Sequence, residues 1–450
     1  MSRLFGTDGV RGVANSELTP ELAFNLGKAG AYVLSKEVEK PLFLIGMDTR
    51  ISGDMLESAI AAGIQAVGGD VIRIGVIPTP AVAYLVKYYG ADAGVMISAS
   101  HNPFEYNGIK FFNKDGFKLE DGVEDEIEDI IVRHVDVNSH ITGEKLGRSQ
   151  QAEENALGLY AKFLESTVDV DFKGKKIVLD CANGASYQVA EKVYKALGAE
   201  TVVIANNPNG VNINLDCGST KPEALQKKVV EEDAFMGMAF DGDADRLIAV
   251  DEKGNLIDGD RLMCIAATML KEDGVLTKNL LTATVMSNLG LHKYLEKHGI
   301  EVDVTGVGDR YVLEEMRKTG SIVGGEQSGH IIFLNHTTTG DGVLSSLQVL
   351  RAIIKSGKKA SEVSQEIEIF PQVLVNAKVK NENKEIFVED AEVASKIKEA
   401  ENALSGEGRV LIRPSGTEPL VRVMIEGMDI DKIQAMAEDI ADLIGKKFGM

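Results

Sequence analysis

The sequence predicts an α/β protein: three related α/β domains followed by a C-terminal α+β domain. Three observations carry this. A strand–turn–helix–strand pattern recurs three times at wide spacing. After Phe370-Pro371 it gives way to strand-like runs alternating with two helices. The chain, at 450 residues, also exceeds what one hydrophobic core usually serves.

In the first copy Leu42 to Gly46 reads as a strand, Asp48 to Gly53 as a turn, Asp54 to Val67 as an amphipathic helix and Val71 to Ile74 as a second strand. The second runs from the strand Ile177 to Asp180 through the turn Ala182 to Ala185 and a helix ending at Leu197 to Thr201–Ile204. The third pairs Leu281–Val285, the turn Ser287–Gly290 and a helix through His298 with Glu301–Val304. Shared α/β grammar without common ancestry would give the same pattern. The polar stretch Val135 to Gln151, after the acidic helix Val123 to Arg133, reads as the first linker. Asp251 to Asn255 resembles a hairpin turn and marks the second junction; Phe370-Pro371 closes the third region. The tail offers strands over Val373–Val379, Arg409–Pro414 and Val421–Glu426. The expected domains are 1–150, 151–253, 254–370 and 371–450.

A composition of 44% apolar and 26% charged residues is that of a folded chain without a disorder signature. The formal charge of -21 argues against nucleic acid or an anionic membrane as a partner, since both need a basic face. A small anionic substrate stays compatible if a few Arg and Lys are focused in one place. Cys181, Cys217 and Cys264 are odd in number and lack metal-ligand spacing, so buried reduced thiols are expected. The N-terminus lacks an apolar signal core and no apolar run is long enough to span a bilayer, so a cytoplasmic location is expected.

Four polar clusters stand out. Met96 to Pro103 places Ser100, His101 and Asn102 after an apolar strand and before a proline; alone, it is good turn chemistry. Asp241-Gly242-Asp243-Ala244-Asp245 follows the apolar run Met236–Phe240. Three carboxylates at alternate positions beyond a buried strand can wrap a hard cation such as Mg2+, which is favoured here over a solvated acidic turn. Gly324 to His330, a loop between the strand-like Ser321–Val323 and Ile331–Phe333, offers a carboxylate, Glu326, and a hydroxyl, Ser328, suited to sugar hydroxyls; a bland glycine-rich turn is as common. Arg413-Pro414-Ser415-Gly416-Thr417-Glu418-Pro419, with Arg422 close behind, has the chemistry of a phosphate cradle. Arg11, in the glycine-punctuated Phe5–Gly12, faces a phosphate or shapes a tight turn, and Lys110 is a surface lysine or a proton shuttle.

Together, and in this order, Ser98–Pro103, Asp241–Arg246, Gly325–His330 and Arg413–Pro419 resemble the signature loops of the α-D-phosphohexomutase superfamily along the whole chain. The opening Phe5–Gly12 and Gln327 are more similar to the bacterial branch acting on glucosamine phosphates than to the branch acting on mannose and glucose phosphates. Departures are mild: Ser98 stands where threonine is frequent and Ala244 where glycine is frequent.

The resemblance implies four domains with mixed sheets in the first three, arranged around a central active-site cleft. It implies an isomerase that converts glucosamine 6-phosphate to glucosamine 1-phosphate for UDP-N-acetylglucosamine synthesis, with glucosamine 1,6-bisphosphate as intermediate and activator. Ser100 would carry the phosphoryl group and, with Asp241, Asp243 and Asp245, hold one Mg2+. Arg11, His101, Lys110, Arg246 and His330 would line the reacting centre, with Lys110 and His330 the candidates for proton transfer. Glu326 and Ser328 would grip sugar hydroxyls, and Arg413, Ser415, Gly416, Thr417 and Arg422 the phosphate that is not reacting. The partner is then a sugar phosphate, and a homodimer is compatible with the sequence but not given by it. Rival readings are a glucose or mannose phosphate substrate, a metal-dependent phosphatase, and a silent sugar-phosphate sensor.

Overall fold

The apolar runs form the central strands of four sheets in a computed structural model, which describes residues 3–6, 8–36, 38–137, 141–153, 155–384, 386–415 and 418–449. The first sheet holds β1 (Val10–Val13), β2 (Leu42–Met47), β3 (Asp70–Val76), β4 (Ala93–Ile97), β5 (Tyr106–Asn113) and β6 (Ser149–Gln151), in the order β1-β5-β4-β2-β3-β6. The second holds β7 (Lys176–Asp180), β8 (Glu200–Ile204), β9 (Met236–Phe240), β10 (Leu247–Asp251) and β11 (Leu256–Ile257), ordered β11-β10-β9-β7-β8. The third holds β12 (Leu280–Thr284), β13 (Glu301–Thr305), β14 (Val323–Gly325) and β15 (Ile331–Phe333), ordered β13-β12-β14-β15.

One plan underlies all three. A first strand is flanked by two parallel neighbours, and the third strand turns back into an antiparallel fourth: β3-β2-β4-β5, β8-β7-β9-β10 and β13-β12-β14-β15. The third strands β4 and β9 are buried along their whole length, as the continuous apolar runs of a helix-covered parallel sheet must be. Helix starts follow from local chemistry. Thr19 ahead of Pro20–Leu34 and Asp341 ahead of Gly342–Ser356 each accept an amide of the first turn through their side chains.

By contacts the chain forms two compact units, Met1–Met286 with His298–Glu366, and Ser287–Lys297 with Ile367–Met450. In the first, the three α/β repeats are joined by buried polar contacts. The Thr79 amide donates to the Asp243 carbonyl at 2.9 Å, the Tyr160 hydroxyl to Asp341 at 2.6 Å and the Tyr194 hydroxyl to Ser346 at 2.8 Å. The second unit is built on the antiparallel sheet β16 (Gln372–Lys378), β17 (Gly408–Pro414) and β18 (Leu420–Gly427), ordered β16-β18-β17, with the helices Ala391–Leu404 and Ile430–Phe448. The helix Leu289–Lys297, expected as the crossover of the third repeat, clusters with this unit: Asn288 donates to the Phe370 carbonyl at 2.9 Å and Glu426 accepts the Leu289 amide at 3.1 Å.

Two details differ from the sequence reading. The strand expected over Ser321–Val323 is instead Val323–Gly325, because Gly324 pairs with Thr282 on one side and Ile332 on the other. The end of the expected first linker, whose residues 138–140 lie outside the described residues, adds β6 alongside β3. Among the described residues no helix is long and apolar enough to cross a membrane. All three cysteines are buried and free, as expected.

Burial pushes the Asp341 carboxyl up to about 6, and the Leu344 amide, then the Tyr160 hydroxyl, hold it from rising further. Tyr160→Phe should cost about 1–3 kcal/mol by leaving a buried acceptor without its donor. Because the loss falls on the ionised carboxylate, thermal melting should show a larger deficit above pH ~7 than below pH ~5.

Candidate active site

The repeated plan delivers three loops to equivalent places, the turn between the third and fourth strand of each repeat. Residues 98–105 leave β4, 241–246 leave β9, and 326–330 leave β14. These are the carboxyl ends of parallel strands, where α/β sheets bind ligands. The second and third loops are also tied directly, Arg246 and His330 forming an antiparallel bridge and the Leu247 amide donating to the Gly329 carbonyl at 3.0 Å.

Ser100 is buried and sits at φ 51°, left-handed backbone that a serine adopts only when its surroundings impose it. Those surroundings are explicit. Asp48 and Arg50, both fully buried, pair at 2.8 Å. The Arg50 guanidinium donates to the carbonyls of Ser100 and Asn102, each at 2.9 Å, of Tyr106 at 3.0 Å, and of Pro103. Asn214, from the second repeat, donates to the same Ser100 and Asn102 carbonyls at 2.9 and 3.1 Å. Ser98 accepts the Ser100 amide at 3.0 Å and donates to Asp48 at 2.6 Å. Serine thus fills the role that a threonine hydroxyl would fill there.

The Ser100 hydroxyl donates to Asp241 Oδ2 at 2.6 Å and lies 3.3 Å from His101 Nδ1. Asp241, Asp243 and Asp245 are all buried and offer carboxylate oxygens within 4.8 Å of one another. Burial, then the charges of Asp245 and Asp243, push Asp241 well above the usual carboxylate range, against the pull of Arg246 and Ser100. Asp245 is held below it because His330 and nearby cations outweigh burial. Asp243 Oδ1 and Asp245 Oδ1 are buried without a hydrogen-bond donor. Orphaned oxygens facing one another among crowded carboxylates are what a hard divalent cation satisfies, so these residues fit Mg2+. Ala244 lies at φ 59°, the left-handed turn that brings the flanking carboxylates together, so glycine would be easier there.

Around the triad stand the expected cations. Lys110 is buried in β5, its amine 3.0 Å from Asp243 and 2.9 Å from Asp8, so it is not a surface lysine. Burial alone would lower its pKa; Asp243, Asp8 and Asp245 outweigh it and keep it an ammonium. His330 places Nδ1 at 3.4 Å from Asp245, and its Nε2 accepts the Gly340 amide at 3.0 Å. Arg246 donates its amide to Asp241 at 3.1 Å, while its guanidinium, like that of Arg11, has a buried Nε without a partner. Arg11 pairs with Asp8. Burial, then Arg246 and Arg11, lower the pKa of His101, favouring the neutral imidazole beside Ser100.

Glu326 is half-buried and accepts the Gly308 amide at 3.0 Å; Ser328 is exposed. In the second unit Arg413 and Pro414 belong to β17, not to a loop, and Arg413 lies directly opposite Arg422 on β18. Residues directly opposite on neighbouring strands project from the same face of the sheet; Arg422 lies 3.4 Å from Glu418, and the Ser415 hydroxyl accepts the Glu418 amide at 3.2 Å. Gly416 and Thr417 lie outside the described residues.

Sequence reading placed Asp48 and Arg50 in a turn without a role. Their position at the carboxyl end of β2 was the available signal. Asp8, Lys118, Asn214 and Asp309 carry no local signal, since their partners are distant in sequence.

Models of the phosphoglucomutase/phosphomannomutase family match four stretches: α/β/α domain I at residues 2–136, domain II at 159–254, domain III at 258–370 and the C-terminal domain at 374–443. The chain belongs to this family, a branch of the α-D-phosphohexomutase superfamily. Among its relatives, the phosphoglucosamine mutase of Acetivibrio thermocellus is 57% identical over 450 residues, covering 100% of both chains. That of Clostridium novyi is 58% identical over 447 residues, 99% of each. The solved phosphoglucomutase/phosphomannomutase family protein of Burkholderia thailandensis superposes with a TM-score of 0.79 at 24% identity, covering 98% of each chain. Aspergillus fumigatus N-acetylphosphoglucosamine mutase, solved with GlcNAc-6P and magnesium, gives 0.71 at 18% identity over 98% of this chain and 95% of that one. At such identities these two likenesses are of fold.

A Cβ at position 340 would collide with the imidazole of His330. Gly340→Ala should therefore displace that ring and, if His330 lines the reacting centre, lower kcat by on the order of 10²-fold while the circular dichroism spectrum is kept, the effect of a misplacement of about 1 Å.

Proposed function

We propose that this chain interconverts glucosamine 6-phosphate and glucosamine 1-phosphate, with Ser100 as the carrier of the phosphoryl group. The observation that carries the reading is the Ser100 hydroxyl, held on a strained, buried loop 2.6 Å from one carboxylate of a triad suited to a divalent cation. The sugar is read from full-length relatives named phosphoglucosamine mutase.

Asp241, Asp243 and Asp245, with the oxygen on Ser100, would hold Mg2+, which when bound supplies positive charge beside the transferring phosphoryl group. The chain's own residues do the rest. With Ser100 phosphorylated, O1 of glucosamine 6-phosphate attacks the phosphorus, loses its proton, and the Oγ–P bond breaks with its electrons on Oγ. The bisphosphate turns, Oγ attacks the 6-phosphate, and the O6–P bond breaks as O6 takes up a proton. Glucosamine 1-phosphate leaves and phosphoserine is restored, so a trace of glucosamine 1,6-bisphosphate serves as activator.

Lys110, kept as an ammonium by Asp8 and Asp243, is suited to stabilise the developing oxyanion. Lys110 and His330 remain the pair for moving the proton, and Arg11, His101 and Arg246 complete the positive surround. Glu326 and Ser328 are assigned to sugar hydroxyls. Arg413, Ser415 and Arg422, with Gly416 and Thr417, are assigned by their chemistry to the non-reacting phosphate.

Phosphorus NMR of the protein with glucosamine 6-phosphate, Mg2+ and a trace of the bisphosphate should show a sugar 1-phosphate resonance growing while inorganic phosphate stays flat. Growing inorganic phosphate would mean a hydrolase, and turnover of mannose or glucose phosphates alone would move the sugar assignment. Ser100→Ala should lower turnover by on the order of 10⁶-fold, as loss of a covalent nucleophile does, and abolish the mass increment of the phosphorylated chain. Asp243→Asn should lower kcat by on the order of 10²–10³-fold and weaken the Mg2+ dependence; an unchanged Mg2+ titration would overturn the metal assignment of the triad.

A further inference from the structure

Lys118 entered no functional assignment, yet it closes a chain of charges that begins and ends at the carboxylate triad. Asp243 pairs with Lys110 at 3.0 Å, and Lys110 with Asp8 at 2.9 Å. Asp8 pairs through its other oxygen with Lys118 at 2.6 Å, and Lys118 with Asp309 at 2.5 Å. Asp309 lies 3.6 Å from His330 Nε2, and His330 Nδ1 lies 3.4 Å from Asp245. Acidic and basic side chains thus alternate from Asp243 to Asp309, and the His330 imidazole closes the ring back to Asp245; all three α/β repeats contribute, and no member's side chain exceeds 21% exposure.

Local structure holds each member. Gly9 sits at φ 79°, and a Cβ there would collide with the Ile109 carbonyl, so the glycine lets Asp8 approach β5 and Lys110. Asn113 fixes the turn before Lys118 by accepting the amides of Asp115 and Phe117. Asp309 opens the helix Asp309–Thr319, where a negative charge is favoured by the helix dipole.

Buried ion pairs are a poor route to stability, because desolvation offsets most of the Coulomb attraction and well-packed apolar residues often serve as well. What the ring does supply is geometry. The two candidates for proton transfer, Lys110 and His330, sit on different repeats, and Asp8–Lys118–Asp309 is a continuous, partly buried link between them.

We propose that Lys118 is a positioning residue for phosphoryl transfer, holding Asp8 against Lys110 and Asp309 against His330 so that both proton-transfer groups are set by one shared array. This rests on the phosphoryl-transfer reading. The rival is an anion anchor, since a cavity of about 400 Å3 lined by Lys118, Asp309 and Arg310 opens beside the ring.

The test uses whichever hexose phosphate the wild type turns over; absence of all turnover would defeat the mutase reading itself, before any variant is made. Lys118→Met should lower kcat by about 10–100-fold with KM changed less than about 3-fold, and Lys118→Arg should restore most of it. Asp309→Asn, nearly isosteric, should show the same kcat loss and carries the test alone if Lys118→Met does not fold. The double variant should lose no more than the worse single one, as members of one unit do. A raised KM at unchanged kcat would make Lys118 a substrate anchor and overturn the proposal. So would a lowered melting temperature with wild-type kcat, or losses that multiply in the double variant.

Discussion

The structure depends on a concentration of negative charge that the fold buries before anything neutralises it. Three carboxylates meet beyond one buried strand, too close for all to be comfortably ionised without a cation. Every neighbour can be understood as a response. Lys110 and Arg246 are drawn inward, His330 leans on Asp245, and the serine hydroxyl takes up the remaining acceptor on Asp241. A phosphoryl group is itself strongly anionic, so a site that must receive it needs more positive charge than these side chains provide. Under the proposed function, the excess acid would be the means of retaining a metal beside Ser100.

Ser100, the proposed nucleophile, is presented by a different strategy, held rigidly through its backbone. Arg50 and Asn214 grip the Ser100 and Asn102 carbonyls from different repeats. Two donors on each of two carbonyls fix the backbone without touching the hydroxyl. The strained φ is therefore sustained by groups that take no part in the chemistry.

The architecture was legible in the sequence because each repeat is a local pattern: an apolar strand, a turn, an amphipathic helix and a second strand, all within about thirty residues. The triad and Ser100 were legible for a similar reason, since their residues are adjacent in the chain and follow apolar runs. What stayed hidden is long-range. Lys118 meets Asp309 across 191 positions, and Asn214 meets Ser100 across 114. Neither spacing leaves a mark in any window of sequence. The sequence leaves Lys110 open between a surface lysine and a proton shuttle, because the two acids that receive it lie far from it in the chain. Short strands drifted as well: β14 lies two residues from its expected start because Gly324 has little strand preference of its own and is recruited by Thr282 and Ile332.

The three hairpins β4–β5, β9–β10 and β14–β15 occupy one topological slot, each loop leaving a parallel strand and returning along an antiparallel one. Both ends of every loop are thus pinned by ladder hydrogen bonds a strand's width apart. The consequence is modularity. Only the tip, residues 326–328, is free to vary between those fixed ends, because Gly329 and His330 are tied to the second loop through Leu247 and Arg246. Under the proposed function, sugar preference would then be set at that tip, apart from the loops bearing Ser100 and the acidic triad.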